Sequence, residues 1–272
     1  MCAGRTSGAD LRVELRCSEM HLRLIRNATL RLEIGGLQLL VDPMLDPAGA
    51  RPPVEDTENH RRNPLVELPE PPEVVVAGLD AVLVTHMHRD HFDATAAELV
   101  PKQLPVLCQP QDAERLRGHG FIDVRPVERT AELGEIALTR TPARHGSGET
   151  AERLAPVSGY LLRDAAGRSL YLAGDTVLYE AVERVLDEHA PDVVVVNASA
   201  ARFAGGAPIV MDCRDVVAVA RRAPRARIVA VHLDAINHCV ETRADLHQRL
   251  HEEQLTDRVT VPEDGAAVPI DQ

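Results

Sequence analysis

The stretch Thr85–Asp93, "THMHRDHFD", places His86, His88, Asp90 and His91 within six positions. Its first residues close the run "AVLVTH" (81–86), which reads as a buried strand. Directly after it, "DATAAELV" (93–100) reads as a helix with Asp93 as its N-cap. The cluster therefore lies where a strand ends, a position at which a rigid element fixes side chains and the following loop leaves room for a ligand. Spacing adds a constraint. His86 and His88, two apart in extended chain, point to the same side and can hold one ion. Asp90 and His91 fall where the chain turns into the helix and can face a second ion, with Met87 and Arg89 as spacers.

Three later segments repeat the pattern of an apolar run that stops on a metal-type side chain. "IALTRTPARH" ends at His145, "SLYLAGD" at Asp175 and "RIVAVH" at His232. If these ends converge, seven ligands gather: His86, His88, Asp90, His91, His145, Asp175 and His232. Imidazoles with a few carboxylates suit zinc, iron or manganese. Seven are too many for one tetrahedral ion and satisfy two, with Asp175 bridging. Two ions roughly 3.5–4 Å apart can share and deprotonate one water.

The rest of the chain supplies a frame for such a site. "MHLRLI" (20–25), "ATLRLEI" (28–34) and "LQLLVD" (37–42) read as strands, and Gly35-Gly36 as a tight hairpin turn. "LPVLC" with "DAERLRGH" forms a β–α unit. In the second half, "SGYLLRD" (158–164) and "SLYLAGD" (169–175) precede a helix over 177–190, a strand over 192–198, a helix over 212–223 and the strand "RIVAVH" (227–232). A last helix, "RADLHQRLHEEQ", leads to a short strand near "RVTVP". Hairpins open each half and β–α units close it. That order predicts an α/β fold, a four-layer αββα sandwich, as one domain over residues 1–272. The Pro-rich stretch at about 43–72 is too long for a simple connector, and loops of that length act as lids or binding loops.

Composition narrows the function. The chain has 272 residues, 44% of them hydrophobic, enough for a substantial core. There is no Trp, and three Phe and three Tyr make stacking platforms for single-stranded nucleic acid scarce; the net charge of -12 also counts against a nucleic-acid partner. No apolar run is long enough to span a membrane. Cys2, Cys17, Cys108, Cys213 and Cys239 are odd in number and irregularly spaced, which fits free thiols and a cytoplasmic location. The expected partner is a small-molecule substrate, with room for a homo-oligomer.

The set His86-x-His88-x-Asp90-His91, followed by His145, Asp175 in "AGDT" and His232, resembles the signature of the metallo-β-lactamase superfamily over nearly the whole chain. Within it, "LEIGG…LLVDPML", "DAVLVTHMHRDHFD" and "TPARHGSG" are similar to the branch of L-ascorbate-6-phosphate lactonase and N-acyl-phosphatidylethanolamine phospholipase D. The resemblance implies that His86, His88 and His145 hold a first metal, and that Asp90, His91 and His232 hold a second, with Asp175 between. It implies two divalent ions, zinc or manganese. It also implies hydrolysis of a small ester, lactone, amide or phosphoester by a hydroxide that both ions activate, with Asp90 helping to orient it. Asp42, in "VDP", would orient a ligand histidine from behind. One position departs from the branch pattern: Asn27 stands in "RNATL" where a histidine is common.

Other residues are candidates of lower rank. His238 in "HLDAINH" is an alternative to His232 as ligand. It is otherwise a candidate for substrate contact or proton donation to the leaving group. Asn197 could line the pocket, and Arg89 and Arg144 flank ligands. Cys239, beside His238, has no third member for a Cys/His catalytic set. His21, His60, His119, His189, His247 and His251 are expected on solvated surfaces. Two other readings stay open: a phosphodiesterase or nuclease of the same fold, and a metal-binding protein without catalysis.

Overall fold

Alternation along the strands builds the layers. In the computed structural model, which describes residues 20–270, the chain begins with three strands, β1 (His21–Arg26), β2 (Thr29–Ile34) and β3 (Leu37–Val41). Ile34 pairs with Leu37 across Gly35 and Gly36, whose φ angles of 57° and 75° suit a two-residue hairpin turn that residues with a Cβ resist. The short helix α1 (Pro72–Val75) precedes β4 (Ala81–Val84), and helix α2 (Ala94–Leu99), β5 (Val106–Cys108), helix α3 (Ala113–Gly118) and β6 (Val124–Pro126) follow. Strands β3 to β6 run parallel, and β1 to β3 antiparallel.

The second half repeats this plan. Strands β7 (Thr130–Leu133), β8 (Ile136–Pro142), β9 (Ser158–Arg163) and β10 (Ser169–Leu172) pair antiparallel, with helix α4 (Gly148–Leu154) between β8 and β9. Helix α5 (Glu180–His189), β11 (Val193–Asn197), helix α6 (Cys213–Arg222), β12 (Arg227–Val231), helix α7 (Arg243–Glu252) and β13 (Val259–Thr260) continue the sheet in parallel. A final strand, β14 (Ala267–Val268), crosses back to pair with β1. The sheets are ordered β14-β1-β2-β3-β4-β5-β6 and β13-β12-β11-β10-β9-β8-β7.

One face of each strand enters a shared core: Leu24, Leu32 and Leu83 of the first sheet cluster with Leu138, Leu162 and Val195 of the second. The alternate residues face helices. Val82 and Val84 meet Ala96 of α2 and Leu116 of α3, whereas Val194 and Val196 meet Val185 of α5 and Val216 of α6. Two sheets packed face to face with helices outside each make the four-layer sandwich read from the sequence. Emptying one of these central positions, as in Leu83→Ala, would cost about 2–5 kcal/mol.

Several elements were not legible beforehand: α1, α4, β6, β7 and β14. The helix expected over 177–190 begins only at Glu180; residues before it run as an irregular segment in which Val177 N–H donates to the Arg144 carbonyl at 2.9 Å. Asp93 caps α2 through Ala96 N–H at 2.8 Å. Cys108, Cys213 and Cys239 are free thiols, while Cys2 and Cys17 lie outside the described residues.

The 43–72 stretch is tied down. Arg26, fully buried at the end of β1, donates to the carbonyls of Met44 (2.9 Å), Asp46 (2.8 Å) and Val66 (3.0 Å). Arg51 and Asn63 exchange two backbone hydrogen bonds, and Leu65 N–H reaches the Ala235 carbonyl at 2.7 Å. This folds the stretch against one end of the sandwich.

Candidate metal centre

That end of the sandwich is where β4, β8, β10 and β12 finish, and each delivers side chains to one place. His86 and the loop to His91 follow β4, His145 follows β8, Asp175 follows β10, and His232 follows β12. Backbone strain helps to aim two of the groups. Asp42 and His232 have φ angles of 44° and 65°, in the left-handed region that residues with a side chain seldom adopt outside functional sites. Asp175 needs its predecessor to be glycine. Gly174 has φ 69°, and a Cβ there would lie 2.7 Å from the Ser158 carbonyl oxygen.

Three sets of ligand atoms lie within 4.8 Å of one another: His86, His88 and His145; His86, His91 and Asp175; Asp90, His91 and His232. Asp175 lies between the outer sets. Its Oδ2 is 3.2 Å from His145 Nε2 and 3.8 Å from His86 Nε2. Its Oδ1 is 3.3 Å from His91 Nε2 and 3.9 Å from His232 Nε2. Asp90 Oδ2 is 3.4 Å from His232 Nε2. His238 belongs to none of these sets, and its ring centroid lies 6.4 Å from that of His232.

The rear nitrogens of the rings are occupied. His91 Nδ1 is 2.8 Å from Asp42 Oδ2, His145 Nδ1 2.8 Å from the Ile209 carbonyl, and His86 Nδ1 3.1 Å from Thr85 Oγ1. His232 Nδ1 has the Ser199 hydroxyl at 3.4 Å and Cys239 Sγ at 3.6 Å. A ring that donates from Nδ1 to a carboxylate or carbonyl keeps the Nε2 lone pair free. The Nε2 atoms of His86, His91 and His232 are buried without a hydrogen-bond partner. Buried polar atoms are rarely left so. Inward-facing imidazole lone pairs around a carboxylate are a donor set that fits divalent cations.

The electrostatics agree with a place for positive charge. For Asp175, burial alone would raise the pKa, yet the charges of His91, His232 and His145 hold it well below the usual range. Asp90 behaves likewise: burial is outweighed by His232, whose Nε2 lies 3.4 Å away, and by the nearby imidazoles of His91 and His238, which hold it well below the usual range. Burial pushes His91 down, but Asp175 and Asp42 together lift it to about 10. Burial likewise opposes the rise of His232, which Asp175 and Cys239 pull well above its ordinary value. His86 is held low by burial and by His91 and His88, and His88 falls to about 4 mainly through burial.

Residues behind the ligands complete the centre, and reading the sequence missed part of this layer. Asn27, with φ 60°, donates from Nδ2 to the Asp90 carbonyl (3.0 Å), and its own carbonyl accepts from His232 N–H (2.9 Å). The residue that departs from the branch pattern thus links two members of one ligand set. Asn197, expected at the pocket, instead donates to Asp175 Oδ1 at 2.6 Å. Arg144 stacks over the Tyr179 ring, with Cζ 4.2 Å from its centroid. Of the remaining histidines, His21, His60, His119, His247 and His251 are exposed, and His189 is half-buried.

A cavity of about 510 Å³ opens above the centre, reaching His88, Asp90, His145 and His238. Its lining is partly apolar, with Val54, Leu154, Phe203, Ile209 and Ile236. His238 is 6% exposed, its Nδ1 has no partner, and burial holds it near pKa 4, hence neutral at pH 7. No helix among the described residues is long and apolar enough to cross a membrane.

Comparison with known proteins places this arrangement. Residues 38–233 match the Beta-lactamase superfamily domain. The UPF0173 protein YddR of Bacillus subtilis (strain 168) is 34% identical over 249 residues, 90% of this chain and 98% of its own. A possible metal-dependent hydrolase from Veillonella parvula DSM 2008 superposes with a TM-score of 0.89 at 35% identity, covering 92% of this chain and 99% of that one. An isothiocyanate hydrolase from Delia radicum gut bacteria superposes with a TM-score of 0.87 at 34% identity, covering 92% and 98%. The chain has the metallo-β-lactamase fold and belongs to the UPF0173 metal-dependent hydrolase family of that superfamily.

Proposed function

We propose that this protein is a two-metal hydrolase of small, electrophilic, partly apolar molecules, with isothiocyanates as the first substrate class to test. The division of Asp175 carries the two-metal reading: one oxygen faces His86 and His145, the other His91 and His232. His86, His88 and His145 would hold one cation, and Asp90, His91 and His232 the other, with Asp175 shared. Zinc and manganese both suit these donors. The isothiocyanate class comes from the 34% identical hydrolase of the same fold. The likeness to the lactonase and phospholipase D branch rests on the shared segments around Asp42, His86 and His145, and it keeps lactones and amides in the substrate screen.

When bound, the two cations would activate a water and polarise the electrophile. The protein's own groups do the rest. Asp90, 16% exposed in its side chain and open to the cavity, accepts a hydrogen bond from the attacking water and orients it. His238, neutral and with an uncommitted Nδ1, contacts the leaving group and supplies a hydrogen bond rather than a charge. The apolar part of the lining, with Val54, Leu154, Phe203, Ile209 and Ile236, keeps bulk water from the electrophile. For an isothiocyanate the balance is R–N=C=S + H₂O → R–NH₂ + O=C=S. Oxygen bonds to the central carbon, the C–N bond breaks, and both protons of water end on nitrogen.

The test joins elemental analysis to turnover. Two equivalents of divalent metal per chain are expected, with amine released from isothiocyanates and both lost in Asp175→Ala. Full turnover after complete chelation would sink the proposal.

A further inference from the structure

Residues 51–63 form one side of the substrate cavity through Arg51, Pro52, Pro53, Val54, Glu55 and Asn63, yet the stretch contains neither helix nor extended strand. Irregular chain keeps one shape only where its backbone polar groups have fixed partners. Here they converge on a single side chain. Asn237 is 2% exposed, in the loop between β12 and α7. Its Oδ1 accepts from Val54 N–H at 2.8 Å and from Asn63 Nδ2 at 2.7 Å. Its Nδ2 faces the Asn59 carbonyl at 2.6 Å, Thr57 Oγ1 at 2.7 Å and the Val54 carbonyl at 3.1 Å. Its backbone N–H donates to Asn63 Oδ1 at 2.9 Å, so the two asparagines grip each other.

An amide offers two acceptor lone pairs and two donor hydrogens, and all four are committed here. No other side chain of this size has both halves. A carboxylate would set oxygen against the Asn59 and Val54 carbonyls, and an apolar residue would leave buried partners unsatisfied. The residue after it, His238, faces the same cavity, and His232 lies five positions before it.

We infer that Asn237 is the positioning residue that sets the 51–63 wall against the metal centre, so that it governs substrate capture and not metal binding. The inference rests on the hydrolase reading of this site. It makes the 43–72 stretch a braced wall, held from the centre's own loop, whose placement decides which substrates fit.

The experiment compares the full-length metal-loaded protein with Asn237→Ala, Asn237→Asp and the milder Asn63→Ala, which removes the hydrogen bonds between the two asparagines and leaves the other contacts of Asn237 in place. Hydrogen exchange of the 51–63 segment, metal per chain, and steady-state kinetics on an arylalkyl isothiocyanate are measured together. The expected result is exchange about tenfold faster in 51–63, unchanged exchange in the β4 segment, and unchanged metal content, with KM up about tenfold and kcat within about threefold. Loss of metal, unchanged exchange in 51–63, or a fall in kcat at constant KM would overturn it. Should Asn237→Ala fail to fold, Asn63→Ala decides by the same criteria. Should the wild type leave isothiocyanates untouched, the substrate assignment fails by itself, and the exchange and metal measurements still decide the role of Asn237.

Discussion

His91 Nδ1 lies 2.8 Å from Asp42 Oδ2, the oxygen that also accepts from the Thr85 hydroxyl at 2.7 Å, while Asp42 Oδ1 takes Thr85 N–H at 2.7 Å. The carboxylate thus fixes the His91 tautomer and the start of the loop that carries the first four candidate ligands. Replacing it removes a buried anchor without touching a ligand. Asp42→Asn keeps a residue that tolerates the φ of 44°. It should weaken metal binding about 10–100-fold. Competition against a graded series of chelators would measure this, and unchanged affinity would remove Asp42 from the supporting layer.

Metal binding should depend on pH through His91 and His232. His91, lifted to about 10 by Asp175 and Asp42 against burial, carries a proton in the metal-free protein at pH 7, and His232 is raised in the same direction. A cation must displace these protons, so affinity rises with pH and binding at pH 7 releases protons. The linkage to folding has a definite sign. Because the folded pKa of His91 exceeds its ordinary 6.5, its contribution to metal-free stability is complete below about 6.5 and is lost as pH rises towards about 10. Calorimetry in buffers of different ionisation enthalpy should detect the released protons. Urea melts of the chelated protein should weaken from pH 6.5 to pH 10.

Gly174→Ala forces a Cβ to within 2.7 Å of the Ser158 carbonyl at a backbone φ of 69°. Strain at such a position costs of order 1–3 kcal/mol, and its relief would move Asp175, the next residue. Lower thermal stability together with reduced metal content is expected. A variant that is destabilised but fully loaded would show that Asp175 is held from elsewhere.

Arg26→Leu should be among the most damaging substitutions outside the ligands. The guanidinium is fully buried and satisfies the Met44, Asp46 and Val66 carbonyls. Burial lowers its pKa to about 10, so the charge is present at pH 7. Leaving those carbonyls unpaired should cost about 3 kcal/mol or more. Urea unfolding measures the loss, and faster proteolysis within 43–66 would locate it.

His238→Ala should lower kcat about 100-fold with metal content intact, the scale for removing a hydrogen-bond donor aimed at developing charge. Since His238 stays neutral down to about pH 4, the defect should be the same size at pH 6 and pH 8. A defect confined to the acidic side would mean that His238 works as a charged acid.

The sandwich was legible because its strands bury alternate residues in two different layers, a local pattern that survives in one dimension. β4 shows it: Ala81 and Leu83 join the core between the sheets, while Val82 and Val84 join the helices. The weaker elements escaped for a physical reason. β14 has two residues and gains its partner only by returning to β1, and α4 buries no side chain fully, so neither carries a periodic signal.

At the centre, the sequence by itself determined that metal-type side chains stand close together, since His86 to His91 lie on a single loop. It could not show that Asp175 presents one oxygen to each outer set, because that depends on four strand ends meeting. Nor could it assign the asparagines. Asn27 meets Asp90 across 63 positions, and Asn63 meets Asn237 across 174. Each is a residue type that loops and turns use everywhere, with no periodicity to betray a partner. Which side chains are candidates for a metal follows from local chemistry and spacing. Their orientation and the shape of the cavity follow from buried amides and carboxylates whose hydrogen bonds close only once distant loops have packed together.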